Sequence, residues 1–206
     1  MKTMIISLLA MIVTAMEPIR ASDFVTALAA GQISATFRGI GGSSGDSIEV
    51  VVAKTARIGP ELELTMTPGT RLQNASSSAQ NMVIAGVQGE RMGASSYSPG
   101  PVIRVQDTPT TYILEAYCTD FEKANPAPQS QFQLGKADPV LACILSKAAG
   151  VSPEAKQAAV WIYTDKATYG LVNAKFPLST NDWNGAVAVV KKCLNDSQIS
   201  SRPTGL

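Results

Sequence analysis

The sequence contains no histidine. Histidine is the usual general base near neutral pH and a common zinc ligand, so its absence excludes Ser-His-Asp and Cys-His catalysis and His-ligated zinc. The chain has three cysteines, which are too few for a four-thiolate zinc site. Any chemistry must therefore use carboxylates, hydroxyls, an amide or a thiol, and we expect neither a metal nor a cofactor.

An excess of charge of either sign is also missing. The 17 lysines and arginines nearly balance the 16 aspartates and glutamates, and the chain has no basic block and no acidic tail. This balance argues against nucleic acid as a partner and against electrostatic attachment to an anionic membrane. With 206 residues, of which 45% are hydrophobic, the chain is long and apolar enough to bury a core.

Long apolar runs are absent except at the N-terminus. Lys2 is followed by an apolar run from Met4 to Met16 and then by small residues that end at Ala21. This order is typical of a secretory signal peptide, and the run is short for a membrane span. We predict a signal peptide over residues 1–21, or cleavage after Ala15, and a secreted, extracellular protein. An uncleaved anchor is the alternative.

Residues 22–117 are predicted to be rich in β-structure. Five segments contain β-branched runs or alternate apolar with polar residues, and Gly, Pro and Ser clusters separate them. The segments are SIEVVVAKTA (47–56), ELELTMT (61–67), QNMVIAGV (80–87), PVIRVQD (101–107) and TTYILEAY (110–117). Short strands at this spacing favour an antiparallel β-sandwich or barrel.

Residues 118–206 are predicted to be helical. Asp138-Pro139 and Ser152-Pro153 each pair an N-cap residue with proline at the first helical position. They predict helices that reach Gly150 and Asp165, and a third helix follows PLSTND at 177–182. The predicted fold class is α+β, with a small subdomain of about three helices packed against the β-rich part as one unit.

The cysteine count is odd, whereas exported proteins usually pair their cysteines. Cys143 and Cys193 fall on two predicted helices, and side-by-side packing would bring them within disulfide reach. Such a bridge would leave Cys118 unpaired at the junction of the two parts. Other fates for Cys118 are a disulfide to Cys143 or Cys193, an inert buried thiol, or a bridge to another chain.

The residues around Cys118 form part of a longer pattern. Tyr117-Cys118 closes the last β segment, and the second predicted helix contains QAAVW at 157–161. This combination resembles the thioester domains of bacterial surface adhesins, in which a cysteine sulfur and a glutamine side-chain carbon form an internal thioester. The resemblance covers mainly residues 117–165. It implies that Cys118 is the thiol and Gln157 the acyl donor.

The resemblance also implies a chemistry without a cofactor. The thiolate attacks the glutamine amide, ammonia leaves, and an incoming amine later takes the acyl group and frees the thiol. The protein is consumed in this reaction, so it is not an enzyme, and its partner would be an extracellular protein or glycan surface that carries amines. Shielding from water needs aromatic walls. The candidates are Tyr117, Phe121, Trp161 and Tyr163.

Asp120, Glu122 and Asp165 are candidates to assist proton transfer if the fold brings them near Cys118. The alternative for Gln157 is an ordinary helix residue that bonds to a neighbouring backbone group. The alternative function is a non-covalent extracellular β-sandwich module, for binding or structural assembly, in which the cysteines are purely structural.

Overall fold

The computed structural model of the protein describes residues 21–55 and 62–200. The predicted signal peptide lies outside these residues except for Ala21, so it stays a prediction. In the two described ranges, no helix combines the length and the apolar character that a bilayer span requires.

The β-structure is built around a closed antiparallel barrel of six strands. The barrel order is β5-β10-β2-β3-β9-β6, and β6 pairs with β5 to close it, while β7 extends the sheet beyond β6. A second, small sheet has the order β1-β4-β8. The strands are β1 (Ser22–Asp23), β2 (Ile33–Gly39), β3 (Ser44–Lys54), β4 (Leu62–Thr65), β5 (Thr70–Asn74), β6 (Met82–Arg91), β7 (Tyr97–Pro99), β8 (Ile103–Val105), β9 (Thr110–Cys118) and β10 (Gln131–Ala137).

The described residues contain six helices rather than a bundle of three. They are α1 (Phe24–Ala29), α2 (Pro139–Lys147), α3 (Pro153–Thr164), α4 (Tyr169–Lys175), α5 (Thr180–Lys191) and α6 (Asp196–Ser200). The three predicted helices exist as α2, α3 and α5. The predicted caps Asp138 and Ser152 each accept a backbone N–H as expected, and Ser179 does the same for α5. The coarse prediction of an α+β fold with a barrel is confirmed. The three-helix subdomain is not, because α4 and α6 also follow the barrel.

The barrel extends across the predicted boundary at residue 118. Strand β10 pairs antiparallel with both β2 and β5, although it lies in the segment that was predicted to be helical. Its sequence, QFQLGKA, buries only Phe132 fully and has a register shift between Leu134 and Ala137. Such a short and irregular alternation gives little signal for a strand.

The last residues of β9 alternate between two apolar clusters. Leu114, Ala116 and Cys118 belong to the main core, whereas Tyr117 belongs to a smaller cluster that involves α2 and α3. Successive residues of a strand point to opposite faces of the sheet. Tyr117 and Cys118 therefore do not share an environment. The buried members of the smaller cluster are Val83, Tyr117, Leu141, Leu145 and Val160.

A disulfide joins two of the helices. Cys143 in α2 bonds to Cys193, just beyond α5, with their Cα atoms 5.8 Å apart, and the predicted pairing is thereby confirmed. Helix α3 packs against both α2 and α5. The disulfide therefore holds together the helices that flank α3.

Removal of this disulfide is expected to lower the free energy of unfolding by roughly 4 kcal/mol, because the bridge closes a loop of about fifty residues in the unfolded chain. Urea denaturation of the Cys143→Ala/Cys193→Ala double variant measures this loss. Adding a thiol reductant to the wild type should give the same loss. Identical midpoints with and without reductant would contradict the pairing.

Candidate functional site

The structure brings Cys118 and Gln157 together, although they are 39 positions apart in the sequence. Both residues are fully buried. The backbone N–H of Cys118 donates to Gln157 Oε1 at 3.0 Å, and Gln157 Nε2 donates to the backbone carbonyl of Cys118 at 2.9 Å. The side-chain amide of Gln157 thus lies across the backbone of the cysteine that carries the free thiol.

The end of the β3–β9 ladder explains why this position takes an amide. Ser44, the first residue of β3, pairs with Tyr117, so Cys118 lies one residue beyond the ladder. The backbone N–H of Cys118 still donates to the carbonyl of Ser43 at 3.1 Å. The carbonyl of Cys118 accepts a hydrogen bond from Gln157 Nε2. A glutamine amide has both a donor and an acceptor, so it can replace the missing strand.

Helix α3 delivers the amide to this point. Ser152 caps the helix by accepting from Ala155 N at 3.1 Å, and Pro153 follows at the first helical position. The Ser152 hydroxyl also donates to Asp182 Oδ1 at 2.5 Å, and Asp182 lies in the first turn of α5. The start of α3 is therefore fixed to a neighbouring helix, one turn before Gln157.

The environment of the thiol keeps it protonated. Burial, with a smaller contribution from the negative charge of Asp120, raises the pKa of Cys118 to about 12. Because the thiolate is the nucleophile, an unbonded Cys118 reacts slowly at neutral pH and faster in alkali. The amide has one helpful contact, since the N–H of Cys118 donates to the oxygen on which negative charge would develop during attack.

Two of the predicted aromatic walls lie in the core cluster that contains Cys118. Phe121 and Trp161 pack edge to face with ring centroids 5.1 Å apart, and Phe176 packs on Trp161 at 5.6 Å. Tyr117 lies on the other face of β9 from the thiol and packs in the smaller cluster with Val160 of α3, so its role as a wall of the site stays a prediction. Tyr163 packs against both clusters, and its hydroxyl lies 3.4 Å from both carboxylate oxygens of Asp138.

The three predicted proton-transfer carboxylates have different surroundings. Burial raises the pKa of Asp165, which accepts a hydrogen bond from Phe121 N at 3.0 Å. Burial alone would also raise the pKa of Asp120, but hydrogen bonds from the Asn81 backbone and Lys123 bring it below the usual range. Glu122 is exposed and pairs with Lys175 at 2.9 Å. Asp165 is therefore held in a setting that favours its protonated form more than water does.

Sequence reasoning missed three residues that belong to this region: Phe176, Glu115 and Lys156. Lys156 Nζ lies 2.7 Å from Glu115 Oε1. A signal for this pair was present, because opposite charges stand close to the two predicted partners, Glu115 before Cys118 and Lys156 directly before Gln157. Nothing in the local sequence marks Phe176, which tertiary packing alone brings to Trp161.

A separate groove of about 1080 Å³ lies where β5, β10 and the start of α2 meet. Arg71 crosses it to pair with Asp138 at 2.7 Å, and the ring of Tyr163 forms part of the wall. Leu134 and the exposed Lys136 line the same groove. It therefore combines an apolar surface with hydrogen-bonding groups, as small-ligand sites do.

Among residues 21–55 and 62–200, no group of three or more acidic or cysteine side chains is arranged to hold a metal ion. Comparison of the chain with protein-family models, curated proteins and solved structures gave no match. The function must therefore be inferred from the sites themselves.

Proposed function

We propose that the protein forms an internal thioester between Cys118 Sγ and the side-chain carbonyl carbon of Gln157. It uses this bond for covalent attachment to amines on an extracellular surface or matrix component, in adhesion or crosslinking. The observation that carries the proposal is a free, buried cysteine whose backbone is held against a buried glutamine amide by two hydrogen bonds. The Cys143–Cys193 disulfide supports placing the protein in an oxidising compartment.

Bond formation consumes one thiol and one amide and releases one ammonia. Cys118 loses its proton, and the thiolate attacks the carbonyl carbon of Gln157 to give a tetrahedral intermediate with negative charge on Oε1. The Cys118 N–H, which donates to that oxygen at 3.0 Å, stabilises this charge. Collapse of the intermediate breaks the carbon–nitrogen bond, and the departing amino group takes up a proton and leaves as ammonia.

The second step joins the protein to its target. A primary amine attacks the thioester carbonyl, an amide to Gln157 forms, and Cys118 regains its proton as a free thiol. Each chain therefore reacts once. Because Cys118 and Gln157 are both fully buried, the site must open before a macromolecular amine can enter. The same burial protects the bond from water until then.

The mass of the intact, non-reduced protein tests the proposal. The wild type is expected to lack one ammonia, and the Cys118→Ala variant is expected to have the full mass of its sequence. The Cys143–Cys193 disulfide is present in both proteins, so it does not affect the comparison. Incubation with methylamine should add one methylamine to the wild type and none to the variant. A wild type of full mass, which methylamine leaves unchanged, would refute the proposal.

The groove at Arg71, Asp138 and Tyr163 favours a second candidate function, which is non-covalent binding of a glycan or peptide. In that case Gln157 only completes the hydrogen bonding at the end of β9, and Cys118 is an inert buried thiol. The same mass measurement separates the two functions, because this one requires the full mass.

A further inference from the structure

A partly buried charged cluster lies beside the Cys118–Gln157 pair. Glu115 accepts hydrogen bonds from Lys156 Nζ at 2.7 Å, from Gln88 Nε2 at 3.3 Å and from the hydroxyl of Tyr117. The side chains of Lys156 and Glu115 are only 18% and 16% exposed. The donors come from α3, β6 and β9, so one carboxylate connects three elements.

Taking a carboxylate and an ammonium out of water is costly unless their bonding geometry is good. In the described part of the chain, Glu115 is the single salt-bridge partner of Lys156. Loss of either group would leave the other partly buried without its counter-charge. The pair therefore favours one position of α3 on the barrel over all others.

The position of the Glu115–Lys156 pair shows how it fixes α3 on β9. Lys156 directly precedes Gln157 on α3, and successive residues of a helix point about 100° apart. Glu115 lies three residues before Cys118 on β9, a distance of roughly 10 Å along the strand. Helix α3 is thus attached to β9 at two separated points, by Lys156 at Glu115 and by Gln157 at Cys118. Two such attachments fix both the rotation and the position of the helix.

We infer that the Glu115–Lys156 ion pair is the positioning element that holds the Gln157 amide on Cys118 and controls access to both. Breakage of the pair loosens α3 against β9 around Lys156 and Gln157, so that a small reagent reaches the buried residues, while the Ser152–Asp182 hydrogen bond keeps the start of the helix in place. The consequence for acyl transfer rests on the proposed thioester. The control of access does not, because it concerns only the packing of α3 against β9.

The rate at which a small reagent reaches the site tests this inference in the variants Lys156→Met and Glu115→Gln. If the wild type lacks one ammonia, the reagent is methylamine and its incorporation is followed by mass. If the wild type has its full mass, the reagent is iodoacetamide, which alkylates the free Cys118. Both variants should react at least about tenfold faster than the wild type, as expected when a partly buried ion pair is broken. Lys156→Arg, which keeps the charge, should retain the slow rate.

Arg104→Met is the matched control, because it removes an ion pair between β8 and β4, to Glu63, whose partners are 68% and 27% exposed. It should leave the rate unchanged. Denaturant titrations of every variant show how much of any acceleration comes from global unfolding. Rates for Lys156→Met within about twofold of the wild type, or fully explained by global unfolding, would overturn the inference. A full-mass wild type whose alkylation depends on Lys156 would instead refute the thioester and leave the positioning role standing.

Discussion

The Gln157→Glu variant is expected to lose about 3–5 kcal/mol of unfolding free energy at pH 7, because the new carboxylate is buried without a counter-charge. Gln157 is fully buried, and its Nε2 donates to the Cys118 carbonyl at 2.9 Å. A carboxylate would place a second acceptor against that carbonyl. The variant also cannot release ammonia, so it should keep the full mass of its sequence.

The pH dependence of this loss has a defined sign. Burial raises the pKa of the introduced carboxyl above its unfolded value, so the folded state binds the proton more tightly. The variant should therefore regain stability as the pH falls towards 5, and lose it as the pH rises through the folded pKa. Urea denaturation at several pH values measures this change.

Gln133→Glu is the matched control for this substitution, because Gln133 is exposed on β10 and its replacement should alter stability by less than about 0.5 kcal/mol. Gln157→Met separates the charge from the lost hydrogen bonds. It should cost about 1–3 kcal/mol, because the Cys118 carbonyl loses its donor. If Gln157→Glu were as stable at pH 7 as Gln133→Glu, the amide could not be buried against Cys118.

The pairing of Cys118 with Gln157 could be expected only from the resemblance to thioester domains, because nothing in composition or spacing joins the two residues. A cysteine that ends a strand and a glutamine in the second turn of a capped helix can each be read from a few neighbouring residues. The same holds for α2, α3 and α5, whose Asp-Pro, Ser-Pro and Ser-Thr starts fix the N-termini. The Cys143–Cys193 disulfide was expected if the two predicted helices packed side by side, and a bridge from Cys118 to either cysteine was the alternative.

The features that could not be predicted depend on pairing between distant segments. Strand β10 closes the barrel, but it has few inward apolar residues and an irregular register with β5. Its place between β2 and β5 is set by those partners and not by its own sequence. The backbone N–H of Cys118 donates both to the Ser43 carbonyl and to Gln157 Oε1. The position of Ser43 likewise depends on where the β3–β9 ladder ends.

The separation of Tyr117 from the cluster that contains Cys118 has a different origin. The alternation of strand side chains already required Tyr117 and Cys118 to point to opposite faces. Proximity in sequence is a poor guide to shared environment in a strand, whereas Phe121, beyond the end of β9, is free of that alternation and lies in the Cys118 cluster. Glu115 lies on the same face of β9 as Tyr117 and accepts a hydrogen bond from the Tyr117 hydroxyl.

Burial of the site creates two opposing requirements. The proposed thioester must be kept from water, yet under the same proposal the target amine must reach it. Three attachments hold α3 closed: the Gln157–Cys118 hydrogen bonds, the Lys156–Glu115 ion pair and the flanking helices joined by the disulfide. Loss of the ion pair leaves the reacting groups intact and acts directly at the contact between α3 and β9, so access can change there independently of chemistry.

Protein with a free Cys118 thiol is expected to lose stability in alkali by up to about 4 kcal/mol, because folding keeps this thiol protonated. Burial raises the pKa of Cys118 from an ordinary value near 9.0 to about 12. The stabilisation is complete below pH 9 and is lost as the pH rises from 9 towards 12, where the folded thiol also ionises. Between pH 9 and pH 11 the expected loss is roughly 2 kcal/mol.

This loss belongs to the free thiol alone, so it is measured against a variant that lacks the thiol. Urea denaturation between pH 8 and pH 11 should show the alkaline loss for methylamine-treated wild type, in which Cys118 is free, and not for Cys118→Ala. Tyr117, whose pKa burial also raises, titrates in both proteins and cancels in the comparison. If the unfolding free energy of the free-thiol protein changed with pH as that of Cys118→Ala does, the thiol would be accessible to water. The shielded site on which acyl storage depends would then not exist.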